Sequence, residues 1–219
     1  MPAVMCNMLA LDAAFGPACA CLMRADGACF HAATPADRPH SQGIVPMLET
    51  LLNEAGMIWS DLDMLAGGIG PGSFTGVRMA AAIIAGINIR LSLPVLPMSS
   101  LAITAWRGDT RGDVRVIEDA RADRWWTNRY RDGQPEGEDR ALDRDQLAAL
   151  KPGPMLSETI TEPPGSGWRP IPFVRSRAEA LGILARHMAS ATMQPDTLPR
   201  FIAPAYLCPS QAERSARGA

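Results

Sequence analysis

The stretch Gly67–Arg90, GGIGPGSFTGVRMAAAIIAGINIR, limits what this chain can fold into more than any other. It reads as the end of a strand (Met64–Ile69), a glycine-rich turn, and a helix from Ser73 or Thr75 to Arg90. From Phe74 to Arg90 the only charged or amide side chains are Arg78, Asn88 and Arg90. Val77, Ala80, Ala81, Ile84, Ile87 and Leu91 form one stripe, while Met79, Ala82, Ile83, Gly86 and Ile89 cover much of the remaining surface. A helix lying on a sheet needs one apolar face, so this helix has to be covered from two sides. Its Ala and Gly positions would let a second helix come close. Two coverings fit: an amphipathic helix of the same lobe, with Ile44, Met47, Leu48, Leu51, Leu52 and Ala55 at helical spacing, or a helix pair contributed by another chain.

The elements around this helix alternate between sheet and helix. Met8–Leu11 is a short apolar run ending at Asp12, and Ala18–Met23 and Ala28–Ala33 flank Asp26-Gly27, a strong hairpin signal. The Ile44–Ala55 helix stops at Gly56 and admits Pro46 only in its first turn. Val95, between Pro94 and Pro97, fits an edge strand, and Ser99 or Ser100 caps a helix through Trp106. Val114–Glu118, Arg124–Arg131 and Met155–Ile160 read as strands and Asp143–Leu150 as a short helix. Ser176 with Glu179 forms a capping box for a helix over Arg177–Ala191. In 219 residues this order predicts an α/β protein of two lobes: residues 1–102, residues 103–207, and a small polar tail at 208–219 that frays.

Much chemistry is excluded by what the chain lacks. A phosphate-binding Walker loop needs Gly-Lys-Ser/Thr, and the only lysine, Lys151, precedes Pro152. Gly70 and Gly72 approximate a dinucleotide fingerprint, but Thr75 stands where the third glycine belongs. Gly72-Ser73 follows Pro71 rather than forming a nucleophile elbow, so Ser73 reads as a helix cap. His31, His40 and His187 are dispersed, and Ile44 occupies the place four residues after His40 where a second metal-binding histidine would stand. Cys6, Cys19, Cys21, Cys29 and Cys208 are odd in number and irregular in spacing, which suits buried, reduced thiols in a cytosolic protein. No basic leader precedes the first strand, and Met79–Ile87 is too short to cross a bilayer. With a net charge of −2, no basic face for nucleic acid is evident.

What remains is a weak anion site. Gly70, Gly72 and Gly76 permit close backbone approach, and amides at the start of the helix, with Ser73 and Arg78, could meet a phosphate. Asp12, at the end of the first strand, is the best candidate for holding a metal-bound nucleotide. Asp119 and Arg121 could line a cleft or form a solvated pair, and Trp125 and Trp126 point to opposite faces of their strand.

These residues also carry a resemblance. GPGSFTGVRMA, preceded by HSQGIVPMLETLL and by MLALDAA, and followed by IEDARADRWWTNRY and PAYLC, resembles the TsaB (YeaZ) family of the bacterial tRNA threonylcarbamoyladenosine machinery over roughly Met8–Leu207. The resemblance implies a two-lobed actin-like ATPase fold with a shortened second lobe. It also implies a non-catalytic, cytoplasmic subunit that binds the catalytic subunit TsaD and works with the ATPase TsaE. ATP and metal then belong to those partners, and tRNA is met mainly through the complex. The implied interface, which also serves a homodimer in isolation, uses the two helices matching His40–Ala55 and Ser73–Arg90. This places Ile44, Met47, Leu48, Leu51, Val77, Met79, Ala80, Ile83, Ile84 and Ile87 at the seam. Two departures stand out: Ala13 and Ala14 follow Asp12 where the family commonly has a hydroxyl residue, and Ala122-Asp123-Arg124 replaces its usual Gly-Glu run. The alternatives are an active actin-like kinase or ATPase, and a peptidase, for which no triad or metal set is present.

Overall fold

A computed structural model describes residues 6–35, 40–191 and 197–207. The tail at 208–219 lies outside them. The first sheet contains β1 (Met8–Asp12), β2 (Cys19–Met23), β3 (Cys29–Ala33), β4 (Met64–Gly68) and β5 (Val95–Met98), in the order β3-β2-β1-β4-β5. β1 to β3 form an antiparallel meander, and β4 and β5 run parallel to β1. Every residue of β1, β2 and β4 is buried, as expected where helices cover both faces of a sheet. Side-chain alternation divides these strands between two cores. Leu9, Leu11, Ala20, Leu22 and Leu65 face α1 (His40–Glu54) and α2 (Phe74–Leu91). Met8, Ala10, Cys19, Cys21 and Ala66 face α3 (Ser100–Arg107) and α5 (Arg177–Ala191). α5 packs so closely that a Cβ on Gly182 would lie 2.4 Å from Cys21 Sγ.

The second sheet holds β6 (Asp113–Asp119), β7 (Arg124–Arg131), β8 (Gln134–Pro135), β10 (Pro154–Leu156) and β11 (Arg169–Pro170), in the order β11-β10-β6-β7-β8. β9 (Arg140–Asp143), followed by α4 (Arg144–Ala148), pairs with β7. Val114, Val116, Tyr130 and Leu156 on its inner face join the α3/α5 core of the first lobe. Ile117, Leu142, Leu147, Met155 and Trp168 form a small separate cluster on the outer face. Two lobes with this strand order and direction constitute the actin-like α/β fold.

Several expectations need correction. The division at 102/103 falls inside α3, and the chain does not stay in the second lobe to residue 207. α5 packs on β1, β2 and β3, Val95 N donates to Pro199 O at 2.8 Å, and Ala205 N donates to Ile69 O at 2.7 Å. The apolar face of α5 and the free edge of β5 both find their partners in the first lobe. The chain leaves that lobe at Arg107 and returns beside it, with Val174 N and Arg175 N both donating to Arg107 O at 2.8 and 3.1 Å. Pro46 lies inside α1 rather than in its first turn; the helix starts four residues earlier than its apolar spacing indicates, and the proline is on the exposed side. The strand expected over Met155–Ile160 ends at Leu156. Beyond it, Ser157 and Thr159 turn to donate their hydroxyls to the buried Glu118 carboxylate, at 3.0 and 2.7 Å.

Candidate functional site

Two regions answer to the sequence-based candidates: the cleft at the end of β1 and the outer face of α1 and α2. In the cleft, Asp12 is fully buried. Its Oδ2 accepts from Arg177 Nε at 2.9 Å and lies 2.8 Å from Arg177 Nη2. Its Oδ1 accepts from Ser100 Oγ at 2.7 Å, and Ala14 N donates to Oδ2 at 3.2 Å. Gly68 on β4 leaves room for this carboxylate, since a Cβ there would stand 1.8 Å from Oδ1. Arg177 continues the network to Thr104 Oγ1 at 3.0 Å, to Ser100 O at 3.2 Å and to Glu158 Oε1. Arg107 Nη1 holds the other Glu158 oxygen at 2.7 Å. Burial by itself lowers the pKa of Arg177, but the Asp12 and Glu158 charges outweigh it and hold the guanidinium firmly protonated. Asp12 is thus paired with an internal cation that also reaches Glu158 of the second lobe.

The glycine turn is spent on packing as well. A Cβ on Gly76 would lie 1.9 Å from Ala13 O, and one on Gly72 would lie 2.6 Å from the Ala14 Cβ. The glycines therefore let the start of α2 rest on the two residues that follow Asp12. Ser73 N donates to Ala14 O at 2.8 Å, Gly70 N to Ser100 Oγ at 3.2 Å, and Gly76 N to the capping Ser73 Oγ at 3.3 Å. The amides of Gly70, Ser73 and Gly76 at this turn thus donate within the protein. Arg78 is not aimed at the turn. Its guanidinium lies 3.8 Å over the Phe74 ring, and its Nε donates to Tyr206 Oη at 2.6 Å.

On the other face, the expected ten-residue interface divides in two. Ile44, Met47, Leu48, Leu51, Val77, Ala80 and Ile84 are buried inside the lobe. They form the contact of α1 and α2 with the sheet. Only Met79, Ile83 and Ile87 stay half-exposed. Beside them runs an apolar groove of about 460 Å³ lined by Val45, Trp59, Ile83, Gly86, Ile87 and Leu91, with Arg90 at one edge. Val45 is 46% exposed and the adjacent Ile89 76%. α1 covers only part of α2, and among the described residues nothing supplies the second covering that the composition of α2 requires. By length and composition alone α2 could cross a membrane, contrary to the expectation from Met79–Ile87; here its inner stripe packs on β1 and β4. Among the described residues, no three His, Cys, Asp or Glu side chains come together as a metal ion would require.

Over 173 residues the chain is 33% identical to the tRNA threonylcarbamoyladenosine biosynthesis protein TsaB of Escherichia coli, a match spanning 76% of this chain and 74% of that protein. The chain belongs to the TsaB family. The Haemophilus influenzae TsaB is 40% identical over 99 residues, 45% of this chain and 42% of that protein. The solved structure of YeaZ from Pseudomonas aeruginosa superposes with a TM-score of 0.72 at 26% identity, covering 92% of this chain and all of that one. The family model described as TsaD, tRNA N6-adenosine threonylcarbamoyltransferase, matches residues 34–153. This chain is accordingly a protein of tRNA threonylcarbamoyladenosine biosynthesis.

Sequence reasoning on this TsaB-family chain missed the residues that close its cleft. Arg177 reads as the first residue of a capped helix and Glu158 as part of a strand; neither carries a local sign of meeting Asp12. A charged residue opening the otherwise small, apolar inner face of α5 was the available hint. Tyr206 was visible only as part of a terminal motif, not as the partner of Arg78. Asp119 and Arg121 do not line the cleft: both are exposed, and the Asp119 carboxylate accepts the Arg121 amide at 2.7 Å. Trp125 and Trp126 do divide between the outer cluster and the shared core. The cysteines are not uniformly buried. Cys19 and Cys21 are, Cys6 is half-buried and Cys29 is exposed; Cys208 lies outside the described residues.

Proposed function

We propose that this chain is a non-catalytic, cytoplasmic subunit of a tRNA threonylcarbamoyltransferase assembly, and that it docks a TsaD-type catalytic subunit against the groove between α1 and α2. The observation carrying this reading is the uncovered apolar face of α2, with Ile83, Ile87 and Ile89 open beside Val45. The contact set is Val45, Met79, Ile83, Gly86, Ile87 and Ile89, narrower than the sequence suggested. In the absence of TsaD the same face pairs two copies of the chain. ATP and metal are handled by TsaD and by the ATPase TsaE. An independent ATPase is the weaker reading, because Asp12 is held by Arg177 and the turn amides are engaged.

The test is assembly. Ile83→Glu would place a carboxylate in the groove, at the margin of the core against which Ile83 packs, and burying it unpaired under a partner costs several kcal/mol. The variant is expected to fold with a modestly lowered Tm yet fail to co-purify with its native TsaD. A folded variant that assembles with unchanged affinity places the seam elsewhere.

A further inference from the structure

The outer face of the second sheet carries a feature that the overall charge conceals. β6 and β7 place Arg115 directly opposite Arg129 and Asp113 opposite Arg131. β9 adds Arg140 opposite Thr127, two residues along β7 from Arg129. Like charges set across neighbouring strands destabilise a sheet, and part of this cluster is neutralised. Arg129 binds Asp113 at 2.7 Å and Glu136 at 3.1 Å, and Arg131 binds the same two carboxylates at 2.9 Å each. That set of two cations and two anions closes on itself. Arg115, Arg140 and Lys151 stay outside it, against the single carboxylate of Glu138.

Arg115 is the informative member. It is half-buried, and its guanidinium makes no hydrogen bond or ion pair among the described residues. Burial, and then the Arg129 and Arg140 charges, push its pKa down, with Glu136 the one opposing influence. Two shallow grooves, of about 320 and 410 Å³, meet at Arg115 and Arg129. One continues to Lys151 and the other to Arg140. A single bound phosphate calls for donors converging on one point. Arg115, Arg129 and Arg140 instead form a row across β6, β7 and β9, with Lys151 in the loop before β10 at one end, and neighbouring strands lie about 4.8 Å apart. Such a row matches a chain of phosphodiesters, which is read by charge and spacing rather than by a closed pocket.

We infer that the outer face of the second lobe, through Arg115, Arg140 and Lys151, is a contact surface for the tRNA phosphate backbone. This rests on the chain acting within a tRNA-modifying assembly, and it locates one of that assembly's RNA contacts on the lobe that carries none of the partner groove.

The test uses the full chain assembled with its TsaD, and the substrate tRNA as probe, across a salt titration. Each phosphate contact contributes about one unit to the slope of log affinity against log salt. Arg140→Ala/Lys151→Ala removes two exposed cations and is expected to flatten the slope by about two, with assembly unchanged. Arg115→Ala, checked for an unaltered melting curve, is expected to flatten it by about one. Unchanged slope and affinity in both folded variants would overturn the inference. So would variants that lose TsaD or TsaE while an intact assembly binds tRNA normally, because the face would then bind an acidic protein segment. Failure of the wild-type chain to assemble with TsaD at all would instead refute the proposed function, a result separate from either of these.

Discussion

Replacing Arg177 with Met measures how strongly the cleft is closed. Arg177 and Asp12 have side-chain exposures of 7% and 0%. The substitution keeps much of the side-chain volume but removes both guanidinium contacts to Asp12. Glu158 keeps Arg107 at 2.7 Å, whereas Asp12 keeps only Ser100 Oγ and Ala14 N. Thr104 Oγ1, Ser100 O and Glu158 Oε1 each lose a donor as well, but the largest loss is one buried carboxylate left without a cation. Breaking a buried pair from one side costs about 3–5 kcal/mol. For a domain of this size, about 2–4 °C per kcal/mol makes that a fall in Tm of roughly 6–20 °C. Urea unfolding followed by circular dichroism and tryptophan fluorescence is the assay. Arg177→Met/Asp12→Asn, which removes the stranded charge, should recover most of the loss, because replacing both members of a buried pair is close to neutral. Arg111→Met, which breaks the exposed pair with Asp109, should leave the midpoint where it was. A loss below about 1 kcal/mol for Arg177→Met, or a double variant no more stable than the single, refutes the buried-pair reasoning.

Three further outcomes follow from the same contacts. Gly76→Ala, whose Cβ would meet Ala13 O at 1.9 Å, should lower stability by about 1–3 kcal/mol in denaturant melts despite the better helix propensity of Ala; a more stable variant would mean that α2 does not rest on the residues after Asp12. Gly86→Ala, which has open space around it, should stabilise the isolated chain by up to about 1 kcal/mol and weaken capture of TsaD; stronger capture would count against close packing at that groove. In native protein at pH 8, mass-mapped alkylation should label exposed Cys29 and spare Cys19 and Cys21, whose thiols burial pushes up, Cys21 to about 12; rapid labelling of either would show that the α5 face opens.

The sequence was most informative where one local signal decides the outcome. The Asp26-Gly27 hairpin, the Ser176–Glu179 capping box and the fully apolar runs of β1 and β4 placed their elements within a residue or two. It was least informative where the deciding contact is distant in the chain. Nothing near Asp12 announces Arg177, 165 residues later. Nothing near Ile44 or Leu48 tells whether an apolar stripe faces its own sheet or a partner, because both environments demand the same residues. The inner stripe of α2 proved to be core, and the interface candidates shifted to Met79, Ile83 and Ile87 on its flank. The row of arginines was hidden for a related reason. A net charge near zero averages over the chain, and only strand register brings Arg115, Arg129 and Arg140 together.

The shared anchor at Arg107 has a consequence for how chains of this design can change over time. Because exit and return meet at one carbonyl, the whole stretch between Gly108 and Phe173 is an insertion in the helix-covered first sheet. It can be lengthened or trimmed without moving either end. Its freedom is uneven, however. β6, β7 and β10 supply Val114, Val116, Tyr130 and Leu156 to the common interior, so they are fixed by what they pack against. β8, β9, α4 and β11 supply nothing there. Insertions and deletions among relatives should therefore collect between Arg140 and Gly153 and between Thr161 and Gly167, clear of Asp139 and Glu158, which hold Ser99, Arg107 and Arg177 of the first lobe.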